Sequence, residues 1–412
     1  MVYAGTQVSD RRLCVSDGNA ARRGGSHGRL EGVGSVLSTD GQANGKRNLG
    51  RIRRVVVKVG SAVIAGNGRL RPKVIEGVAH DVTILRRQGI EVIMVVSGAV
   101  AAGYAAMGLA APPSEVVERQ AAASVGQHRL MAILSKAFKR HRTHVAQLLM
   151  TSDDVENRRR FISARHTLQT LIGKGIVPII NENDALSHDE NKVGDNDHLA
   201  ALITGLASAE LLIVLSVAKG LQADGGAGPV IPQVEVGSSI DEHIGRTTSS
   251  SGVGGMLAKV SAARLAAHWG VPTIVAHGLE VGVLPRLLAG EVLGTIFLPR
   301  ETKLSARKQW IALRARSLGA ITVDAGAKQA VVGRGASLLP SGIRRVEGEF
   351  TMGARVDLKD EEGNIFAVGL VSYSSHEIKR LQGKKQSEVR DVLGYEYIKE
   401  IINRDDMVLL TS

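Results

Sequence analysis

Several short stretches of this 412-residue chain combine residue types able to handle a phosphate or a carboxylate. Lys58 interrupts an otherwise apolar run, Val57-Lys58-Val59, just before Gly60-Ser61. A lysine there brings charge to a place where glycine lets backbone N–H groups close on an anion. The same spacing also suits a surface lysine capping an edge strand. Ser97-Gly98-Ala99 opens the small-residue run Val100-Ala101-Ala102-Gly103. As a helix start, that run would aim its free N–H groups and dipole at a carboxylate, although Ser-Gly is also an ordinary turn.

Polar and acidic residues then concentrate on Asn181-Glu182-Asn183-Asp184 and on Val193-Gly194-Asp195-Asn196-Asp197. Either alone could be a solvated Asx-rich loop. Together they offer amide donors for a substrate carboxylate, acceptors for an ammonium group and a carboxylate to orient lysines. A Mg²⁺ site is the other chemistry open to them, since that ion takes one or two carboxylates plus phosphate oxygens. Ser251-Gly252-Val253-Gly254-Gly255-Met256-Leu257-Ala258-Lys259 is a glycine-rich loop running into a helix. Its backbone could wrap phosphates and Lys259 reach the transferring group, with Lys58 on the opposite side; a flexible hairpin tip is the alternative. Neither a P-loop nor a strand-linked G-x-G-x-x-G occurs, so a nucleotide would need this other cradle.

The elements that must position these residues read as alternating strands and helices. Arg53 to Gly60 leads into an apolar run of strand length. A helix is predicted over Pro72 to Gln88, with Pro72 in its first turn and Gly89 at the stop, and Ile90 to Val96 is a second all-apolar strand. Ile176 to Ile180, Leu211 to Leu215 and Val271 to Ala276 repeat the pattern, each before a polar or glycine-rich turn. Strand, helix, strand with continuous apolar runs implies right-handed βαβ units in a parallel sheet covered on both faces, with ligands beyond the carboxyl ends of the strands. From about Gly319 the segments shorten: Ala320 to Val323, Ala330 to Val332, Arg355 to Leu358 and Phe366 to Val371 read as a small mostly-β domain. Residues 1–50 lack apolar periodicity and are expected to be a flexible extension, and 301–318 a basic linker.

Composition narrows the function classes. With aromatics at 3% the core must be aliphatic, and a nucleic-acid surface of stacking rings is disfavoured. The net charge of +12 suits RNA, a membrane surface or an enzyme of polyanionic small molecules. Cys14, the lone cysteine, excludes a disulfide framework and fits a reducing, cytoplasmic setting. Leu199 to Ala218 carries Glu210 as its only charge, but Gly205 and Ser208 divide it into a helix and a strand, so no membrane span is expected.

Val-Val-Lys-Val-Gly-Ser, Val-Ser-Gly-Ala-Val-Ala-Ala-Gly, Val-Pro-Ile-Ile-Asn-Glu-Asn-Asp, Lys-Val-Gly-Asp-Asn-Asp and Gly-Gly-Met-x-x-Lys, in this order, resemble the amino-acid kinase family and within it the glutamate 5-kinases. The tail, with Ser-Leu-Leu-Pro-x-Gly-Ile at 337–343 and Leu-Gly-Tyr-Glu-Tyr at 393–397, resembles a PUA domain. The resemblance implies a three-layer αβα domain with a mostly parallel open sheet over 51–300 and a PUA-like domain over 319–412. It implies ATP-dependent phosphorylation of the side-chain carboxylate of L-glutamate, opening proline biosynthesis. Lys58 and Lys259 would neutralise phosphates and Asp197 hold the lysines. Ser97, Gly98, Asp184, Asp195 and Asn196 would bind glutamate. Ser216, Val217, Val253, Gly254, Gly255, Met256, Leu257 and Ala258 would line the nucleotide, with Mg²⁺ held through ATP oxygens. A homo-oligomer and a reductase that takes up the labile acyl phosphate are the implied partners. The departures lie on the nucleotide side: Ser216-Val217 stands for the family's Thr-Asp, and Val253 and Ala258 replace hydroxyl residues. Those losses, with the PUA-like tail, keep a regulatory pseudokinase and an RNA-binding protein as alternatives. Aspartate, acetylglutamate or carbamate remain alternative acceptors.

Overall fold

The computed structural model describes residues 46–66, 69–186, 196–224, 227–236, 255–299, 317–395 and 400–410, less the side chains of Glu156, Arg158 and Arg159. The expected extension lies outside these residues except for 46–50, and the expected basic linker except for 317–318.

The central strand β1 (Arg54–Val59) is followed by the short helix α1 (Ser61–Ile64) and a two-residue hairpin, β2 (Ala65–Gly66) with β3 (Arg69–Leu70). Helix α2 (Pro72–Arg87) begins on proline, whose missing N–H would have no partner in a first turn, and stops before Gly89 at φ +82. Then come β4 (Glu91–Val96), α3 (Ala99–Gly103), α4 (Val116–Lys139), β5 (Val145–Met150), α5 (Ser152–Glu156), α6 (Arg158–Gly173) and β6 (Val177–Glu182). They are followed by α7 (Asn196–Ala207), β7 (Leu211–Ser216), β8 (Gln233–Glu235), α8 (Met256–Ala267), β9 (Thr273–His277), α9 (Val283–Leu288) and β10 (Thr295–Leu298). The sheet order is β5-β6-β4-β1-β7-β9-β10-β8, parallel throughout except where β10 runs antiparallel to β9.

Alternation along β1 sorts its side chains into two cores. Val55, Val57 and Val59 join Ile75, Leu85, Leu130 and Phe138 of α2 and α4, whereas Val56 joins Leu199, Ile203, Val260 and Ala263 of α7 and α8. Helices therefore cover both faces, and the expected three-layer arrangement is present. Fully burying one such Val, Leu or Ile contributes about 1.5–3 kcal/mol, which is why the strands tolerate almost no polar residue. The period of two puts Lys58 on the α7/α8 face, the first clue to its partners. The apolar stretch from Leu199 divides as expected, into α7 ending at Ala207 and β7 from Leu211. No described helix is long and apolar enough to cross a membrane.

The C-terminal region folds on a separate core. Strands β11 (Ala320–Val323), β12 (Ile343–Glu347), β13 (Arg355–Lys359), β14 (Ile365–Leu370) and β15 (Met407–Leu409) form a sheet in the order β12-β11-β13-β14-β15 around Tyr373, Val356, Leu358 and Ile378. One expectation fails here: Ala330 to Val332 is not a strand but part of a helix, Ala325–Arg334. Asp324 caps that helix by accepting the Ala327 N–H at 2.8 Å, and Gly335 at φ +59 closes it, so end signals outweigh the short β-branched run. A largely buried ion pair, Arg165 to Asp406 at 2.7 Å, joins α6 to the turn before β15. Asn403 caps that turn through the Asp405 N–H.

Candidate active site

Lys58 lies one residue from the end of β1, and its ammonium is 2.5 Å from Asp197 Oδ1. Asp197 sits in the first turn of α7, and its Oδ2 lies 3.1 Å from Lys259 Nζ, in the first turn of α8. These three residues are 1–6% exposed. Burial alone would push the Asp197 carboxyl up; charge and hydrogen bonding from the two ammonium groups reverse that and hold it below the usual carboxylate range. It is therefore an anion at every physiological pH, fixing two cations at one place. The sequence flagged all three residues, and the fold brings them together.

The backbone around Lys58 is tied down on both sides. The Gly60 N–H donates to the Leu215 carbonyl at 3.0 Å, and the Ser97 N–H to the Val59 carbonyl at 3.1 Å. A Cβ at Gly60 would stand 3.3 Å from the Leu215 oxygen and 3.9 Å from Lys58 Nζ, so glycine keeps the approach to the ammonium open. Gly98 takes φ +106, a left-handed turn that glycine adopts at little cost, and α3 starts immediately after it.

On the β6 side, Asn181 and Glu182 correct the sequence reading, which placed them on a turn. They complete the strand as its last two residues, both buried, and alternation points Asn181 toward α4. The Glu182 N–H is shared between Asn181 Oδ1 at 3.0 Å and Asn196 Oδ1 at 3.2 Å, which draws the start of α7 against the end of β6. Asp184 is 7% exposed, and its Oδ1 is buried with no hydrogen-bond donor among the described residues. Desolvation raises its pKa to about 6, against a smaller opposing pull from the Arg119 guanidinium. A buried carboxylate oxygen lacking a donor suits an ammonium group.

On the β7 side, Ser216 ends its strand and accepts the Ala218 N–H at 3.3 Å. Val217 is 49% exposed, and its carbonyl pairs with His277 Nδ1 at 2.9 Å. Gly255 precedes α8, and Met256, Leu257 and Ala258 form its first turn, with Leu257 59% exposed. Asp195, Val253 and Gly254 lie outside the described residues.

Lys58 and Ser97 at adjoining strand ends, with Asp197 and Lys259 over them, give one centre where an anion and a carboxylate could meet. The amino acid kinase family model matches residues 53–277, every one of these described groups included. The chain belongs to the amino acid kinase family. A PUA domain model matches residues 319–393. A glutamate 5-kinase of Syntrophotalea carbinolica is 46% identical over 366 residues, covering 88% of this chain and 98% of that one. One of Citrifermentans bemidjiense is 46% identical over 371 residues, covering 89% and 100%. One of Geobacter sulfurreducens is 43% identical over 368 residues, covering 88% and 99%. A solved UMP kinase from Bacillus anthracis aligns with TM-score 0.43 at 16% identity, covering 61% of this chain and 97% of that one.

Sequence reasoning missed two residues of α4 that act on groups at the end of β6. Arg119 acts on Asp184 by charge, and Gln127 accepts a hydrogen bond from Asn181 Nδ2 at 2.7 Å. Neither stands in a glycine or acidic motif, and only the docking of α4 reveals them. The His277–Val217 contact was equally silent, since no spacing links the ends of β7 and β9.

Proposed function

We propose that this protein transfers the γ-phosphoryl group of ATP to the side-chain carboxylate of L-glutamate, giving L-glutamyl 5-phosphate for proline biosynthesis. The observation that carries the reading is the buried Asp197 carboxylate gripping Lys58 and Lys259 at the carboxyl ends of the central strands. The names of the curated relatives point to glutamate as the acceptor.

The glutamate carboxylate is already ionised at pH 7, so it attacks the γ-phosphorus without a general base. The new bond is carboxylate oxygen to phosphorus; the bond that breaks joins that phosphorus to the bridging oxygen, and ADP leaves with the electron pair. Catalysis is then positioning plus electrostatics. Lys58 and Lys259 offset the charge on the equatorial oxygens, and Asp197 holds both ammonium groups in place. Asp184 takes the substrate ammonium, while Ser97, Gly98 and Asn196 offer donors to its carboxylates. Because both Asp197 oxygens are engaged by lysines, Mg²⁺ would be held through nucleotide phosphate oxygens, where it would neutralise charge. The acyl phosphate product hydrolyses readily, which favours immediate capture by a reductase.

The reading is tested by incubating the enzyme with ATP and, in parallel, glutamate, aspartate or N-acetylglutamate, and trapping acyl phosphate with hydroxylamine. Hydroxamate from glutamate alone is the expected result; none from any acceptor at millimolar ATP overturns it.

A further inference from the structure

The acceptor side of the site is held from behind by helix α4, and the hold begins with two glycines. A Cβ at Gly126 would fall 1.8 Å from the Ala99 carbonyl, and one at Gly103 1.8 Å from that of Ala122. No side chain fits either position, so α4 and α3 meet backbone to backbone. Since α3 begins directly after Ser97-Gly98, the same contact sets α4 relative to that turn.

Gln127 follows Gly126 and reaches β6. Its Oε1 accepts from Asn181 Nδ2 at 2.7 Å; Asn181 Oδ1 accepts from the Glu182 N–H, and Asn196 Oδ1 takes a share of that same N–H. Asn181 is 1% exposed on a strand face otherwise filled by Val177 and Ile179. A buried amide on such a face is unfavourable unless bonded, and an aliphatic residue would pack there at less cost. The pair therefore makes better sense as a fixed polar relay than as core filling. Gln127 Nε2 is itself buried without an acceptor among the described residues, so only the oxygen end of this amide is satisfied, and Asn181 is what satisfies it.

We propose that Gln127 is a positioning residue for the acceptor substrate, acting through Asn181 and the Glu182 amide on Asn196. This rests on the reading above that Asn196 binds the acceptor. Loss of the Gln127 oxygen frees the Asn181 amide to rotate, removes its Oδ1 from the Glu182 N–H and lets Asn196 shift, while the Lys58–Asp197–Lys259 cluster on the other sheet face keeps its contacts.

The experiment is a kinetic double-mutant cycle with Gln127→Met, close to isosteric, and Asn181→Val. Gln127→Met is expected to raise the glutamate KM about tenfold while kcat and the ATP KM stay within about twofold. The double variant is expected to be no worse than the poorer single one, as for two links of one chain. Additive penalties, equal rises in both KM values, or an unchanged glutamate KM would overturn the proposal. Should Gln127→Met not be isolated folded, Asn181→Val alone must raise the glutamate KM selectively, and an unchanged value refutes the relay. Wild-type enzyme making no hydroxamate from glutamate would sink the functional reading; an active wild type with an unaffected Gln127→Met would sink only this inference.

Discussion

The acceptor and donor sides of the site are built differently. Toward β4 and β6, Ser97, Asn181, Asp184 and Asn196 are all buried, and side-chain amides tie three elements together. Toward β7 and β9, Val217 and Leu257 lie half exposed, and among the described residues the ties include the Val217 carbonyl and Ser216. Fixed, desolvated polar groups discriminate strongly, because a ligand that fails to match leaves them unpaired. Backbone and lysine contacts read charge more than shape. Under the proposed function, the contrast predicts that selectivity resides with the acceptor and that the nucleotide is held chiefly by phosphate electrostatics.

The largest effect is expected where the two sides meet. Asp197→Asn leaves two buried ammonium groups without their counter-charge, and kcat should fall by about 10³ or more. Steady-state rates with thermal melts check this; a variant within tenfold of wild type would remove the cluster from the mechanism.

Asp184 supplies the sharpest test of the acceptor side. With its pKa at about 6, the carboxyl loses its charge below that pH, so kcat/KM for glutamate should drop about tenfold per unit on the acid side. Asp184→Asn should lower kcat/KM at pH 8 by about 100-fold and abolish that limb. Stability should move the other way. A carboxyl whose pKa is raised by folding binds its proton more tightly folded than unfolded, so its ionisation destabilises the fold as pH climbs from about 4 through 6. The Asn variant, which never ionises, should gain up to about 3 kcal/mol at pH 7 relative to wild type, read by denaturant titration. An activity loss accompanied by a stability loss would contradict the assignment.

On the donor side the effect is smaller and opposite in sign. Val217→Asp, at a half-exposed position, and Ala258→Thr add the polar groups that the family resemblance implies there. A recovered hydrogen bond of about 1 kcal/mol should lower the ATP KM about fivefold without moving the glutamate KM. Equal shifts in both constants would erase the contrast between the two sides.

Much of this was legible from residues alone. Unbroken aliphatic runs gave the strands, because a strand buried on both faces has no room for alternation, although β6 runs on through Asn181 and Glu182, which were read as a turn. Lys58, Asp197 and Lys259 stood out because a charge inside or beside an apolar run is costly without a partner. The helix Ala325–Arg334 was misread where capping by Asp324 outweighed local β-branched residues.

What the sequence by itself determined was the order of the elements, the chemistry at their ends and, through the period of two, the face on which Lys58 lies. Tertiary structure alone decided which helix covers each face. Asp197 can hold both lysines only because α7 and α8 pack side by side over β1, and Gln127 meets Asn181 only because glycines let α4 touch α3. Those partners are distant along the chain, and close packing selects them, which no local spacing encodes.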